Sequence, residues 1–171
     1  MEWIPIGRVN RTHGLRGELK FAPLSDEGEA LENLQRVKLA GPPAVELEVE
    51  GLRGVPGSRI IKFKRVGNVE AAKALTGQTL YRHREDFPPL GEGEYYRFEI
   101  EGLEAYDDAG RCYGRVVDII ATGSNDVYVV RDKAGHEILL PMIDSVIHTI
   151  DVRQGKLVFH VVEGLIEDAS V

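Results

Sequence analysis

The fold class is decided by one stretch in the second half of the chain, Gly114-Arg-Val-Val-Asp-Ile-Ile-Ala-Thr-Gly-Ser-Asn-Asp-Val-Tyr-Val-Val130. Two runs rich in β-branched residues, Val116 to Ile120 and Val127 to Val130, flank a polar segment from Thr122 to Asp126. β-Branched residues favour strands, whereas Thr, Gly, Ser, Asn and Asp favour tight turns. The stretch therefore predicts a β-hairpin.

The rest of the second half repeats this pattern of short strands and tight turns. Further strands are predicted at 103–106, 137–140, 146–150 and 156–161, and a polar tail follows from Glu163. Hairpins this short favour a small antiparallel barrel.

The first half also consists mainly of short strands. The predicted strands are 4–10, 18–21, 36–40, 44–52, 59–66 and 79–84. A Gly-punctuated loop, Arg11 to Gly17, separates the first two. The segment from Asn68 to Leu75 combines an N-cap residue with several alanines and predicts a helix, and a second short helix is predicted at 27–34. Six strands with two helices indicate a closed β-barrel.

A Pro/Gly-rich segment separates the two halves. Residues 87–94, Phe-Pro-Pro-Leu-Gly-Glu-Gly-Glu, cannot continue a helix or a strand. The sequence thus predicts a mainly β protein of two small barrels: an N-terminal six-stranded barrel at 1–86, a linker at 87–94, and a C-terminal domain at 95–171.

Composition and charge restrict the class of protein. A hydrophobic content of 43% and a charged content of 29% are typical of soluble globular proteins, and no apolar run is long enough to span a membrane. A single cysteine and the lack of a signal-peptide pattern favour a cytoplasmic protein. We also expect it to be a monomer. The net charge of −7 divides unevenly, since residues 1–88 carry 14 basic and 12 acidic side chains and residues 89–171 carry 7 and 16. The first half could meet phosphate, and the second suits a basic protein.

The sequence contains no recognisable catalytic signature. It has no P-loop, no dinucleotide fingerprint and no paired zinc-protease histidines. Cys112 is expected to be a packed core thiol. His83, His148 and His160 occur singly along the chain, which favours structural or surface roles over metal binding. We therefore expect no catalytic residue, no metal and no cofactor.

Binding features are better represented in the first loop. Candidate phosphate-contact residues cluster there: Arg8, Arg11, His13, Gly14, Arg16 and Gly17. Guanidinium groups bind phosphate well, and the glycines would let the backbone approach a ligand. The alternative is that the glycines serve the turn and the arginines are solvated.

A second candidate surface follows the linker. Tyr95 and Tyr96 are adjacent, so in an extended chain one ring can pack while the other stays available to a partner. The alternative places both rings at the seam between the domains.

These residues resemble a known family. The segment Gly7-Arg-Val-Asn-Arg-Thr-His-Gly-Leu-Arg-Gly-Glu-Leu-Lys20 is similar to the opening of the bacterial ribosome maturation factor family RimM. The later segments Gly114 to Asp118, Thr122 to Asp126 and Leu139-Leu-Pro-Met-Ile143 resemble its second domain, a PRC-barrel.

The resemblance implies a translation-factor-like barrel followed by a PRC-barrel. It implies a non-catalytic assembly factor that binds the free small (30S) ribosomal subunit and assists head maturation and 16S rRNA processing. The implied protein partner is the head protein numbered nineteen in the small-subunit series, and a direct contact with 16S rRNA is left open. The implied subunit-binding residues are Tyr95, Tyr96, Arg97, Gly102 and Leu103.

Two other functions stay open at this point. One is an rRNA-processing enzyme, and the other is a PRC-barrel scaffold unrelated to ribosomes. Within the hairpin, Thr122, Gly123, Asn125 and Asp126 are expected to be scaffold, with Asn125 and Asp126 fixing the loop by bonding backbone.

Overall fold

The computed structural model describes residues 3–24, 28–41 and 44–166, and the chain divides into two compact units. The N-terminal unit is Met1–Pro89, and the C-terminal unit is Leu90–Val171. Both are built mainly from strands, and the described helices are short. This confirms the predicted mainly β fold class. Glu27, the first residue of the helix predicted at 27–34, and residues 167–171 of the predicted tail lie outside the described residues.

The N-terminal unit is a closed six-stranded barrel. Its strands are β1 (Trp3–His13), β2 (Glu18–Pro23), β3 (Arg36–Leu39), β4 (Glu46–Val55), β5 (Ser58–Phe63) and β6 (Thr79–His83). They are arranged in the order β1-β2-β5-β4-β3-β6, with β6 pairing back onto β1. Every pair is antiparallel, and closure leaves no free sheet edge.

Inward-facing residues of all six strands fill this barrel. The core includes Val9, Leu19, Phe21, Val37, Ile61, Phe63 and Leu80, each at most 5% exposed. Two helices, α1 (Gly28–Leu31) and α2 (Val69–Lys73), add Leu31 and Ala72 to the same cluster. The predicted Asn68 cap is confirmed, since its side-chain oxygen accepts a hydrogen bond from the backbone N–H of Ala71 at 2.8 Å.

The first strand is longer than the sequence predicts. β1 continues to His13, so the connection to β2 is only the four residues Gly14 to Gly17. The pairing register shifts between Val9 and Arg11, which is a β-bulge at Asn10. The bulge explains why the predicted end of this strand is wrong. A strand is predicted from alternating buried and exposed residues, and the extra residue at Asn10 interrupts that alternation.

The C-terminal unit contains a six-stranded sheet. Its strands are β7 (Glu104–Asp107), β8 (Cys112–Ala121), β9 (Asp126–Arg131), β10 (Glu137–Pro141), β11 (Ile147–Asp151) and β12 (Lys156–Phe159), in the order β10-β9-β8-β7-β12-β11. The predicted hairpin is confirmed, with β8 and β9 antiparallel and Ala121 opposite Asp126.

One pairing departs from the expected antiparallel arrangement. β7 and β12 run parallel, with Glu104 opposite Lys156 and Asp107 opposite Phe159. Short strands carry the same residue pattern in either orientation, so the sequence could not distinguish them. The parallel pair brings the first and last strands of the unit side by side.

A short helix and an apolar core complete the C-terminal unit. The helix α3 (Arg97–Ile100) precedes β7. The buried cluster includes Ile100, Leu103, Ala105, Tyr128, Val130, Leu140, Leu157 and Phe159. Among the described residues, none of the helices has the length and apolar character needed to cross a bilayer.

Candidate functional site

The β1–β2 hairpin presents the predicted basic loop at its tip. Gly14 to Gly17 form the turn between His13 and Glu18, which are paired across the strands. Gly17 is buried with φ +85°, and a Cβ there would lie 2.2 Å from the carbonyl oxygen of Val66. Only glycine fits this position, so Gly17 fixes the shape of the tip rather than offering a side chain to a ligand.

The bulge at Asn10 decides which side chains of β1 point outward. In a regular strand, residues three apart face opposite sides. Because the bulge adds one residue between them, Arg8 and Arg11 are both exposed, while Val9 is fully buried. Arg11 lies opposite Lys20 on β2. The bulge therefore gathers basic side chains on the outer face of the hairpin.

The predicted contact residues on this hairpin differ in how they are bonded. Arg8 donates a hydrogen bond from Nε to the carbonyl oxygen of Gly77 at 3.0 Å. Within the described part of the chain, the exposed side chains of Arg11 and Arg16 form no hydrogen bond or ion pair. Arg11 and Arg16 are thus the guanidinium groups most available to an anion.

The acidic side chain near Arg11 and Arg16, that of Glu18, is neutralised by an ion pair. Glu18 forms a two-pronged ion pair with Arg53, in which Nη2 lies 3.1 Å from Oε2. The hydrogen bond from Arg53 lowers the pKa of Glu18, and the positive charges of Arg53, His13 and Arg16 act in the same direction. Since Glu18 is matched by Arg53, Arg11 and Arg16 leave the hairpin tip with a net positive charge.

Sequence reasoning missed one residue of this tip. Leu15 is 83% exposed, directly between Gly14 and Arg16. A large apolar side chain at the end of a hairpin contributes nothing to the core of its own unit. The signal in the sequence was a leucine inside a Gly-punctuated turn, where polar residues are usual.

The two tyrosines after the linker have different environments. Tyr96 is 6% exposed, its backbone N–H donates to Glu99 Oε2 at 2.9 Å, and its ring stacks on Phe98 with centroids 5.3 Å apart. Tyr95 is half-buried against the C-terminal core, with its hydroxyl 3.5 Å from the carbonyl oxygen of Ile150. Tyr95 is therefore the one with ring surface accessible from outside.

Of the other predicted subunit-binding residues, Arg97 holds the helix α3 in place. Arg97 pairs with Glu101 at 2.6 Å and with Asp118, and its Nη1 donates to the carbonyl oxygen of Ile119 at 2.8 Å. These bonds fasten α3 to β8. Gly102 is exposed in the turn that follows, whereas Leu103 is 4% exposed and belongs to the core.

In the hairpin loop of the C-terminal unit, Thr122 makes the side-chain bonds. Its hydroxyl donates to the carbonyl oxygen of Asn125 and accepts from the backbone N–H of Asn125 at 3.1 Å. Among the described residues, no side-chain hydrogen bond of Asn125 or Asp126 holds this loop. The backbone carbonyl of Asp126 instead accepts from Met142, which ties the hairpin to the end of β10.

The expectation that Cys112 is a packed core thiol is wrong. Cys112 is exposed at the start of β8, because the turn before it places its side chain outside the core. His148 and His160 lie on either side of the β11–β12 turn, and their rings stack with centroids 4.8 Å apart beside Asp108, which is distant in sequence. The pairing of β11 with β12 brings the two rings together. The positions of the histidines along the sequence do not predict this contact.

Comparison with known proteins shows similarity over almost the whole chain. Residues 4–87 match the RimM N-terminal domain, and residues 97–165 match the RimM PRC barrel domain. The chain is 42% identical over 160 residues to the ribosome maturation factor RimM of Thermotoga neapolitana, covering 92% of this chain and 90% of that protein. It is 38% identical over 165 residues to the factor of the same name from Thermosipho africanus, covering 95% and 93%. The RimM crystal structure from Pseudomonas aeruginosa is 27% identical and covers 93% of this chain and 97% of that one, with a TM-score of 0.45.

Proposed function

The chain belongs to the RimM family, and from this premise we propose that it is a non-catalytic assembly factor that binds the free small (30S) ribosomal subunit. In this role it assists maturation of the subunit head and processing of 16S rRNA. Its partners are the head protein numbered nineteen in the small-subunit series and, through its N-terminal unit, 16S rRNA. It acts in the cytoplasm as a monomer without a cofactor.

The observation that carries this proposal is the matching of both units, in order, to the two domains of one family. Relatives that share about nine tenths of their length with this chain are named ribosome maturation factors. A role in ribosome maturation follows from that membership. The finer assignments rest on the two surfaces described above.

The hairpin tip supports an RNA contact. Arg11 and Arg16 are exposed, and Glu18 beside them is matched by Arg53. Phosphate contacts of this kind position a protein on RNA without reading its sequence. Leu15 at the tip can pack against an unstacked base or an apolar side chain, which adds a contact that salt does not screen.

The C-terminal unit supports a protein contact. Residues 89–171 carry 16 acidic against 7 basic side chains, a balance of −9. A surface of this sign attracts a basic ribosomal protein and repels bare RNA. In this proposal Tyr95 supplies the aromatic contact, while Tyr96, Arg97 and Leu103 hold it in place through α3 and the core.

Co-sedimentation with purified small subunits tests the proposal, with Tyr95→Ala as the informative variant. The wild-type chain is expected to bind free subunits at moderate salt. Truncation of an aromatic anchor typically weakens binding by about tenfold or more. Tyr95→Phe is the matched control, because it keeps the ring and removes only a long hydrogen bond to Ile150; it should bind like the wild type.

Three results would count against the proposal or a part of it. Failure of the wild-type chain to sediment with subunits would remove the assembly-factor role. Unchanged affinity of Tyr95→Ala, with the variant folded by circular dichroism, would remove the assigned contact while leaving the role intact. Cleavage of precursor rRNA by the purified chain would favour an enzyme instead.

A further inference from the structure

Strand topology brings three potential ligand residues to one end of the C-terminal sheet. β7 and β12 are parallel, so Asp108 and His160, which directly follow them, emerge at the same end. β11 is antiparallel to β12, so its beginning lies at that end as well. His148 is the second residue of β11, at the register shift between Ile147 and Thr149. Three separate segments of the chain thus meet at one point.

The three side chains converge on one another. Nδ1 of His160 lies 2.5 Å from Asp108 Oδ2, and Nδ1 of His148 lies 3.5 Å from Asp108 Oδ1. One donor atom from each residue lies within 4.8 Å of the other two. The imidazole rings are stacked with an interplanar angle of 18°. Each carboxylate oxygen therefore faces one imidazole nitrogen.

We propose that Asp108, His148 and His160 form a binding site for a divalent transition-metal ion of the zinc class. Two imidazole nitrogens and one carboxylate oxygen are donors that Zn²⁺ and its neighbours in the first transition series accept. Metal–nitrogen and metal–oxygen bonds of about 2.0–2.2 Å fit between donors that are about 3.4 Å apart in a tetrahedral arrangement. Small rotations of exposed side chains bring the three donors to that spacing.

The backbone around the site is held in place without the metal. The backbone N–H of His160 donates to the carbonyl oxygen of Val146 at 2.7 Å, which fixes the end of β12 against the start of β11. Asp108 lies in the turn closed by the bond from Gly110 to the carbonyl of Asp107 at 3.0 Å. The ligands belong to a formed scaffold, so binding costs side-chain freedom but no refolding.

Exposure of the three side chains leaves coordination positions open. The side-chain exposed fractions are 50% for Asp108, 56% for His148 and 40% for His160. Three protein ligands on zinc leave a fourth position for water or another donor. The site is thus a surface site, open to exchange with solvent.

The same unit contains a natural control. Asp132 and His136 form a similar pair, with Nδ1 of His136 3.0 Å from Asp132 Oδ2, also on the surface. Among the described residues, no third histidine, cysteine or carboxylate side chain joins this pair in a group that could hold a metal ion. A two-donor pair should bind a metal ion much more weakly than three donors do.

Isothermal titration of the full-length, untagged chain with ZnCl₂ tests the proposal. We expect one Zn²⁺ per chain in the wild type, and loss of that binding in the double variant His148→Ala/His160→Ala. Each single variant should lose at least about tenfold in affinity, since even a residue that only orients a ligand contributes that much. His136→Ala and Cys112→Ser should bind like the wild type. Mg²⁺, which prefers oxygen ligands, should not compete.

A spectroscopic experiment on the wild-type chain keeps the proposal falsifiable if the double variant fails to fold. Zn²⁺ is expected to shift the imidazole ¹⁵N resonances of His148 and His160 and to leave those of His136 unchanged. Equal shifts of all three histidines, unshifted His148 and His160, or full zinc binding by the folded double variant would each overturn it.

Discussion

At the scale of single residues, Gly114 is the position where a side chain is least tolerable in the C-terminal unit. Its φ is +124°, and a Cβ would lie 2.1 Å from the carbonyl oxygen of Arg131 on the neighbouring strand. We predict that Gly114→Ala destabilises the C-terminal unit by about 2–4 kcal/mol, from backbone strain and the steric clash together. Gly123→Ala is the control, because a Cβ there meets nothing within 4 Å.

Chemical denaturation followed by far-UV circular dichroism checks this prediction. Trp3, the single tryptophan, packs edge-on against His83 in the N-terminal unit. Its fluorescence therefore reports on that unit and should be unaffected. Equal stability of the Gly114 and Gly123 variants would contradict the assigned role of Gly114.

Tyr128 gives a prediction about alkaline pH. Burial first, and then the nearby Asp126 and Tyr95, raise the pKa of Tyr128 to about 12 from its ordinary 10. The unfolded chain releases this proton near pH 10, while the folded chain keeps it. The contribution of Tyr128 to the free energy of unfolding is therefore fully present below pH 10. It falls by about 2–3 kcal/mol in all as the pH rises towards 12.

Removing the hydroxyl isolates this effect. Tyr128→Phe should lose less stability than the wild type between about pH 10 and 12, because its ring cannot ionise. Urea denaturation of both proteins across that pH range measures the difference between their free energies of unfolding. The other titrating groups are the same in both proteins, so their contributions cancel. Parallel curves for the two proteins would show that Tyr128 ionises in the folded state as it does in the unfolded chain.

At the scale of secondary-structure elements, the cap of α2 is the clearest case of local sequence fixing local structure. Asn68 accepts a hydrogen bond from the N–H of Ala71 at 2.8 Å. We predict that Asn68→Ala costs about 1 kcal/mol of stability in the N-terminal unit. Asn68→Asp keeps the acceptor and adds a charge that favours the helix N-terminus, so it should cost almost nothing.

Trp3 fluorescence during denaturation measures both variants in the unit that contains α2. Equal losses for the Ala and Asp variants would mean that the side-chain acceptor is not what stabilises the helix start.

Elements governed by neighbours in sequence could be predicted, and those governed by distant partners could not. The β8–β9 hairpin and the α2 cap depend on a few adjacent residues, so composition alone indicates them. The bulge at Asn10 and the parallel pairing of β7 with β12 depend on what lies across the sheet. The same limit applies to binding residues. The sequence indicated a basic loop, but not that Arg8 is bonded to Gly77 or that Leu15 is exposed.

At the scale of the whole molecule, the uneven charge of the two halves predicts how binding responds to salt. Replacing Arg11 and Arg16 with Gln removes two proposed phosphate contacts, so fewer counterions are released. The slope of log affinity for the small subunit against log salt should become shallower by about 1.5. Arg8 is left unchanged in this test, because its guanidinium holds the carbonyl of Gly77.

A charge-matched control separates contact from general electrostatics. Arg36 and Lys64 are basic residues of the same unit, paired with Asp86 at 2.7 Å and Glu48 at 2.8 Å. The double variant Arg36→Gln/Lys64→Gln loses the same charge and should keep the wild-type slope. If both double variants change the slope equally, the hairpin tip has no special contact with phosphate.

The parallel pair in the C-terminal unit has a consequence for the time course of synthesis. The N-terminal barrel has all its strands once His83 has been made, and closure then removes its edges. β7 must wait for β12, and at roughly 5–20 residues per second the chain from Asp107 to Phe159 takes several seconds to emerge. During that interval one edge of β7 is open to pairing with another nascent chain. The nascent C-terminal half can therefore mispair with another chain during these seconds. The N-terminal half cannot, because its barrel is already closed.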